Sequence, residues 1–355
     1  MSRWFGFVDD ATVGGTTLDD LVTGGGTIPA ATSFVPVTTG NVDPGETVAD
    51  RNDDVRGRRG NSPSFSFSAQ PSMSIGAKAY PELFRSLLRK ALGGAVTSTG
   101  TAPAAIESTV EAIQDTSSNL PALVGCLVRE EQVDRMTGLV VGEFAAEFPV
   151  DGEGTITSTM NGLYHQVNAA AGISPALPTP SYAGYDDVFC LRDVVAYLGD
   201  GAVAPIDCLA GFSFTVNNGL IDDAKSRFCA GKNILTTVLD GDTHKVWYPE
   251  RTKLGPQAIT GRLDFGSARP DIELRRILRH TDELVVELAA GPLGTTPPAD
   301  EMVRLTFHSI APTGGGASDL QREGDITSSY EFTAYIDDAT NKDLTVDFVG
   351  TTAVV

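Results

Sequence analysis

Apolar positions along this chain follow two periods, and one combination of them occurs twice. Over 65–75, Phe65, Phe67, Ala69, Met73 and Ile75 share one parity while serines and Gln70 take the other. That alternation predicts a strand with one buried face. Pro81 then suits a first helical turn, and Phe84, Leu87, Leu88, Ala91 and Leu92 recur at helical spacing up to Gly93, a natural stop. About half a chain later the unit returns. Alternation over 259–265 leads to Pro270 and then Leu274-Arg275-Arg276-Ile277-Leu278-Arg279, which matches Phe84-Arg85-Ser86-Leu87-Leu88-Arg89. In this second helix Asp271 and Glu273 open the first turn and Arg275, Arg276, Arg279 and His280 follow, as the helix dipole favours.

Period-two patterning predicts most of the remaining elements. In the first half strands are expected at 123–130, 139–150 and 154–163. In the second of these Val140, Phe144, Ala146 and Phe148 alternate with Glu143, Ala145 and Glu147; in the third Thr155, Thr157 and Thr159 oppose Ile156 and Met160. In the second half a strand over 208–216 puts Cys208, Ala210, Phe212, Phe214 and Val216 on one face and ends at Asn217-Asn218-Gly219. A hairpin over 235–248 turns at Asp240-Gly241-Asp242, and strands follow at 284–288, 302–310, 329–336 and 344–349. Three stretches lack a period. Residues 40–62 are charged and read as a long surface loop with an interaction role, 95–121 as low-complexity sequence, and 166–184 as a linker or lid. The expected fold is mainly β (α+β): two tandem β-sandwich or barrel domains, 1–204 and 205–355, each with one flanking helix.

Composition narrows the function. The 355 residues carry a formal charge of −20, acidic pairs recur along the whole length, and arginine outnumbers lysine among the 26 basic residues. A dispersed acidic surface of this kind suits a protein kept soluble at high salt, and it opposes tight binding to a nucleic-acid backbone. Neither a membrane span nor a secretion signal is expected. Cys126, Cys190, Cys208 and Cys229 lack metal-like spacing and are expected as free buried thiols.

No catalytic constellation emerges. Four histidines are few, and no nucleophile elbow, zinc helix, phosphate loop or dinucleotide fingerprint appears. Asp240, Asp242 and His244 have a period of two that a metal could use, but a polar hairpin turn accounts for the same residues. Arg56, Arg58 and Arg59 beside Asp53 and Asp54 suit a salt bridge to a neighbouring subunit better than a phosphate site. No catalytic residue, cofactor or metal is expected.

The chain resembles the major tail tube protein of long-tailed (siphovirus-like) bacterial and archaeal viruses. The resemblance is carried in order by Trp4-Phe5-Gly6-Phe7-Val8-Asp9-Asp10, by Val35-Pro36-Val37-Thr38-Thr39 with the charged loop after it, by 84–94, by Val124-Gly125-Cys126-Leu127-Val128 and the strand pair 139–163, by 212–220, and by 326–336 and 343–350. It implies a structural virion protein whose β-sandwich domains form rings of six, with inner strands closing one barrel and rings stacking into the tube for genome delivery. Two such domains per chain imply a homotrimeric, pseudo-hexameric ring, six chains being the alternative. The tape-measure, terminator and distal tail proteins are the implied partners. The resemblance also implies that DNA passes through without specific binding and that assembly takes place in the host cytoplasm; the acidic composition suits a halophilic host. The barrel-wall candidates are Glu143, Glu147, Thr155, Thr157, Thr159, Arg304, Thr306, Glu331 and Thr333; the inter-ring candidates are Trp4, Phe5, Arg51, Arg56, Arg58 and Arg59. A tandem β-sandwich surface-layer or adhesin protein of a halophile is the competing expectation.

Overall fold

A computed structural model describes residues 3–9, 33–49, 65–100, 106–114, 120–129, 132–167, 188–199, 205–220, 234–239, 242–247, 254–267, 270–279, 281–289, 302–317 and 327–350. In the first half the strands are β1 (Arg3–Asp9), β2 (Ser33–Pro36), β3 (Thr39–Asp43), β4 (Glu46–Ala49), β5 (Phe65–Ala69), β6 (Ser72–Lys78), β7 (Thr97–Thr99), β8 (Ile106–Glu111), β9 (Leu123–Arg129), β10 (Gln132–Pro149), β11 (Thr155–Asn161) and β12 (Tyr164–Val167). They continue as β13 (Val194–Leu198), β14 (Leu209–Asn217), β15 (Ile234–Leu239), β16 (Asp242–Trp247), β17 (Ala258–Phe265), β18 (Asp282–Ala289), β19 (Met302–Ala317), β20 (Ser328–Ala334) and β21 (Leu344–Gly350). Helix α1 (Pro81–Leu92) follows β6, and α2 (Pro270–Leu278) follows β17. Among the described residues the protein is therefore mainly β with two α-helices, as its patterning predicts.

Two long strands organise the rest. β10 spans 18 residues and β19 spans 16, and each leaves one sheet to enter another. The bend in β10 is made by irregularities at Met136/Leu139 and Val141/Glu143, with Gly138 in the left-handed region at φ 62°. That conformation costs glycine little and would strain other residues. Beyond the bends runs one antiparallel sheet in the order β3-β6-β11-β10-β14-β17-β20-β19. The N-terminal parts of the long strands belong to two covering sheets, β2-β1-β9-β10-β12 and β13-β18-β19-β21-β8-β7.

The pairing scheme repeats. In the first half β10 pairs with β9, β11 and β12, β11 with β6, β6 with β3, and β9 with β1. In the second half β19 pairs with β18, β20 and β21, β20 with β17, β17 with β14, and β18 with β13 in the same arrangement. The two sets meet where the C-terminal part of β10 pairs with β14, from Glu143↔Asn217 to Pro149↔Gly211. β13 belongs by its pairing to the second set although it precedes residue 204.

One hydrophobic core underlies both sets, with Phe84 of α1 at the junction. Its ring lies 5.4 Å from Phe144, 5.6 Å from Phe189 and 6.2 Å from Phe214, mostly edge to face. This is the favoured geometry for aromatic pairs. Gly93 ends α1 at φ 75°, its N–H bonded to the Arg89 carbonyl. Asn218 donates to the carbonyls of Ala91 and Val141, both at 2.9 Å, tying the turn after β14 to the helix end and to β10.

Several expectations need correction. The alternation over 65–75 is two strands, because Pro71 offers no N–H to a continuing ladder. β5 pairs with β4, whereas β6 sits between β3 and β11. The expected loop 40–62 begins with β3 and β4; an edge strand such as β3, whose exposure alternates, needs no strong apolar period. Residues 95–121 supply β7 and β8, and β8 completes a covering sheet along β21. Cys126 is buried and Cys190 half-buried, but Cys208 is exposed, at a positive φ that breaks the expected inward alternation; Cys229 lies outside the described residues.

Candidate functional site: a polar sheet face between two free edges

The eight-stranded sheet buries one face and presents the other, because its strands alternate strictly. Inward go Met73 and Ile75 of β6, Ile156 and Met160 of β11, Phe144 and Phe148 of β10, Phe212 and Phe214 of β14, Leu263 and Phe265 of β17, and Tyr330 and Phe332 of β20. Outward go hydroxyls, amides and carboxylates. Thr155, Thr157 and Thr159 of β11 stand exposed beside Glu147, Ala145 and Glu143 of β10 in register. Asn217 of β14 donates to Glu143 at 3.0 Å.

Further along the same face Arg262 of β17 lies between two acids. Its Nε donates to Asp264 at 2.8 Å and its Nη1 to Glu331 of β20 at 3.5 Å. The hydrogen bond to Asp264, with the charges of both acids, raises the already high pKa of this guanidinium. At the other side Lys78 pairs with Glu153, and that hydrogen bond raises the ammonium's pKa. The described cations of this face are thus matched to acids, while Asp43 and Glu147 are exposed.

Of the residues expected on a barrel wall, the structure gathers Glu143, Glu147, Thr155, Thr157, Thr159, Glu331 and Thr333 on this face. It does not bring Arg304 and Thr306 there. They lie in the N-terminal part of β19, in a covering sheet, where Arg304 donates to Glu287 at 2.9 Å. The strand expected at 302–310 is the first part of a longer strand, and only its continuation enters the polar sheet. Trp4 and Phe5 are buried within the chain, Phe5 in the main core and Trp4 against Cys126, Val128 and Val133. Arg51, Arg56, Arg58 and Arg59 lie outside the described residues, as does Asp240. Asp242 and His244 open β16 in the expected hairpin with β15.

The Arg262 clamp went unread in the sequence. Its signal was Arg262-Leu263-Asp264, opposite charges at period two on one face, but the cross-strand acid requires the β17–β20 register. Among the described residues no cluster of three or more metal-ligating side chains occurs, and no helix is long and apolar enough to cross a membrane.

The two ends of the sheet are open. β3 pairs only with β6, and beyond Ile310 β19 pairs only with β20, so among the described residues each end offers an unpaired row of backbone groups. Edges of this kind are rows of backbone donors and acceptors that a further strand can pair with.

A family model described as phage tail tube protein matches residues 5–264, and the chain belongs to that family. It is accordingly a structural component of the viral tail. Among solved structures, a chain in the six-fold symmetrised cryo-EM structure of the anti-feeding prophage (AFP) baseplate is similar at 15% identity. The match covers 45% of this chain and 92% of that one, with a TM-score of 0.22. No curated protein matches the sequence.

Proposed function

We propose that this chain is the repeating subunit of a tail tube, three copies closing a ring and stacked rings forming the channel for genome delivery. The observation that carries this reading is the sheet itself. It is polar on one face, bare at both edges among the described residues, and made of two four-stranded sets with the same pairing order. One chain then supplies two of six ring positions, in units approximating 1–204 and 205–355. Closing the sheet through copies of itself satisfies the bare edges.

The polar face becomes the wall of the channel. Its carboxylates repel DNA phosphates and its matched cations leave little to hold them, so the polyanion passes without sticking. The tape-measure, terminator and distal tail proteins are the partners such a tube requires. A charge of −20 with few lysines supports a high-salt host, archaeal or bacterial.

Negative-stain microscopy and mass measurement of the purified protein test the reading. Rings with three times the 37.3 kDa chain mass are expected. Six chains per ring would keep the tube and refute the count; monomers alone at high concentration would remove the reading.

A further inference from the structure

The chain contains one completed joint between its two pairing sets and one joint that is missing its other half. In the completed joint, β14 lies along the C-terminal part of β10 and covers α1. Phe84, Leu87 and Leu88 of that helix are each 0% exposed. The sequence match between the helices puts Leu274, Ile277 and Leu278 of α2 at the same positions. These are 56%, 63% and 65% exposed. α2 packs on β19 and β20 beside the free edge, as α1 packs on β10. Three large aliphatic side chains stand in water where their counterparts are buried, and β14, the strand whose Phe214 packs on Phe84, has no equivalent along β19 among the described residues.

We infer that β3 of a second copy of this chain docks along the free part of β19 and over α2, as β14 docks along β10 and over α1. The inference rests on the ring reading above and specifies its contact. Register follows from the internal pairings. The irregularity at Val141/Glu143 of β10 corresponds to that at Pro312/Gly314 of β19, which aligns Ala145 with Gly316. Carrying that alignment across β11 and β20, then β6 and β17, aligns Thr215 of β14 with Asp43 of β3. The internal pair Ala145↔Thr215 therefore becomes Gly316 opposite the second copy's Asp43, and Ala146↔Phe214 becomes Ala317 opposite its Val42. As Phe214 meets Phe84, the second copy's Val42 meets Leu274. Smaller residues replace the phenylalanines on both sides, so the contact is less apolar than the internal joint, as suits a surface that waits in solution.

Two variants test this on the full chain. D43C/G316C should link chains when oxidised with diamide, shown on a non-reducing gel, with each single-cysteine variant as control for the native thiols. T39C/G316C should not link, because four strand residues set its thiols about 13 Å apart. L274D/I277D should leave the thermal midpoint of the monomer unchanged, since both side chains are exposed. It should raise the concentration for half-assembly by about tenfold or more. Linking by T39C/G316C instead, or assembly of L274D/I277D at the wild-type concentration, overturns the inference while rings seen by microscopy preserve the tube. Linking by D43C/G316C into open ladders that never close at three chains supports the joint and refutes the ring count.

Discussion

Phe84 shows how much of this fold rests on single side chains. It touches phenylalanines from β10 and β14 and Phe189 ahead of β13, so one ring holds a helix and both pairing sets together. Phe84→Ala should destabilise the monomer by about 3–5 kcal/mol, the range for a large cavity in a packed core. Urea unfolding of wild type and variant measures this. Tyr330 makes a different demand. Its phenol is fully buried, and burial, with the Asp282 charge adding and Arg275 opposing, raises its pKa from about 10 to about 12. The folded value exceeds the unfolded one, so the contribution is intact below pH 10 and is lost as pH rises from 10 towards 12. Alkaline titration of stability should show that decline in wild type and a smaller one in Tyr330→Phe.

At the scale of elements, the free edges give the clearest expectation. Among the described residues the amides of β3 on its outer side, and of β19 beyond Ile310, are unpaired, and in the proposed ring they would become ladder donors. Hydrogen exchange there should be fast in monomers and slow in assemblies, with β11 protected in both; equal exchange in both states would contradict edge-to-edge closure. The same elements explain what the sequence made legible. β10, β11, β14 and β17 each bury one face, so their period was plain. β3 lies at a sheet edge and β8 between β21 and the exposed β7, and each carries too few apolar side chains to leave a period to read. Arg304 and Thr306 have the alternation of a wall strand, but alternation states only that one face is buried. Which sheet a strand joins depends on where β19 bends, and that bend lies in a Pro-Thr-Gly run outside any period. The repeated helix was legible; the opposite exposure of its two copies was not, since both carry the same apolar positions.

For the whole molecule, charge sets the conditions of assembly. The proposed ring would gather chains of −20 each, and raising salt from about 0.1 M to about 1 M shortens the screening length from about 10 Å to about 3 Å. The concentration for half-assembly, followed by light scattering, should therefore fall as KCl rises; an increase would mean that attractive ion pairs govern the contact. The Arg262 clamp carries a further consequence. It sets one cation against two acids in the part of the polar face contributed by the second pairing set, whereas the first set presents Asp43, Glu143 and Glu147 beside a Lys78 already matched to Glu153. In a ring of three chains, more acidic and less acidic sectors would alternate around the channel with a period of 120°. Averaging images under six-fold symmetry would merge the two sectors into one that exists nowhere in the tube. Only a three-fold reconstruction would resolve Arg262 on every second sector.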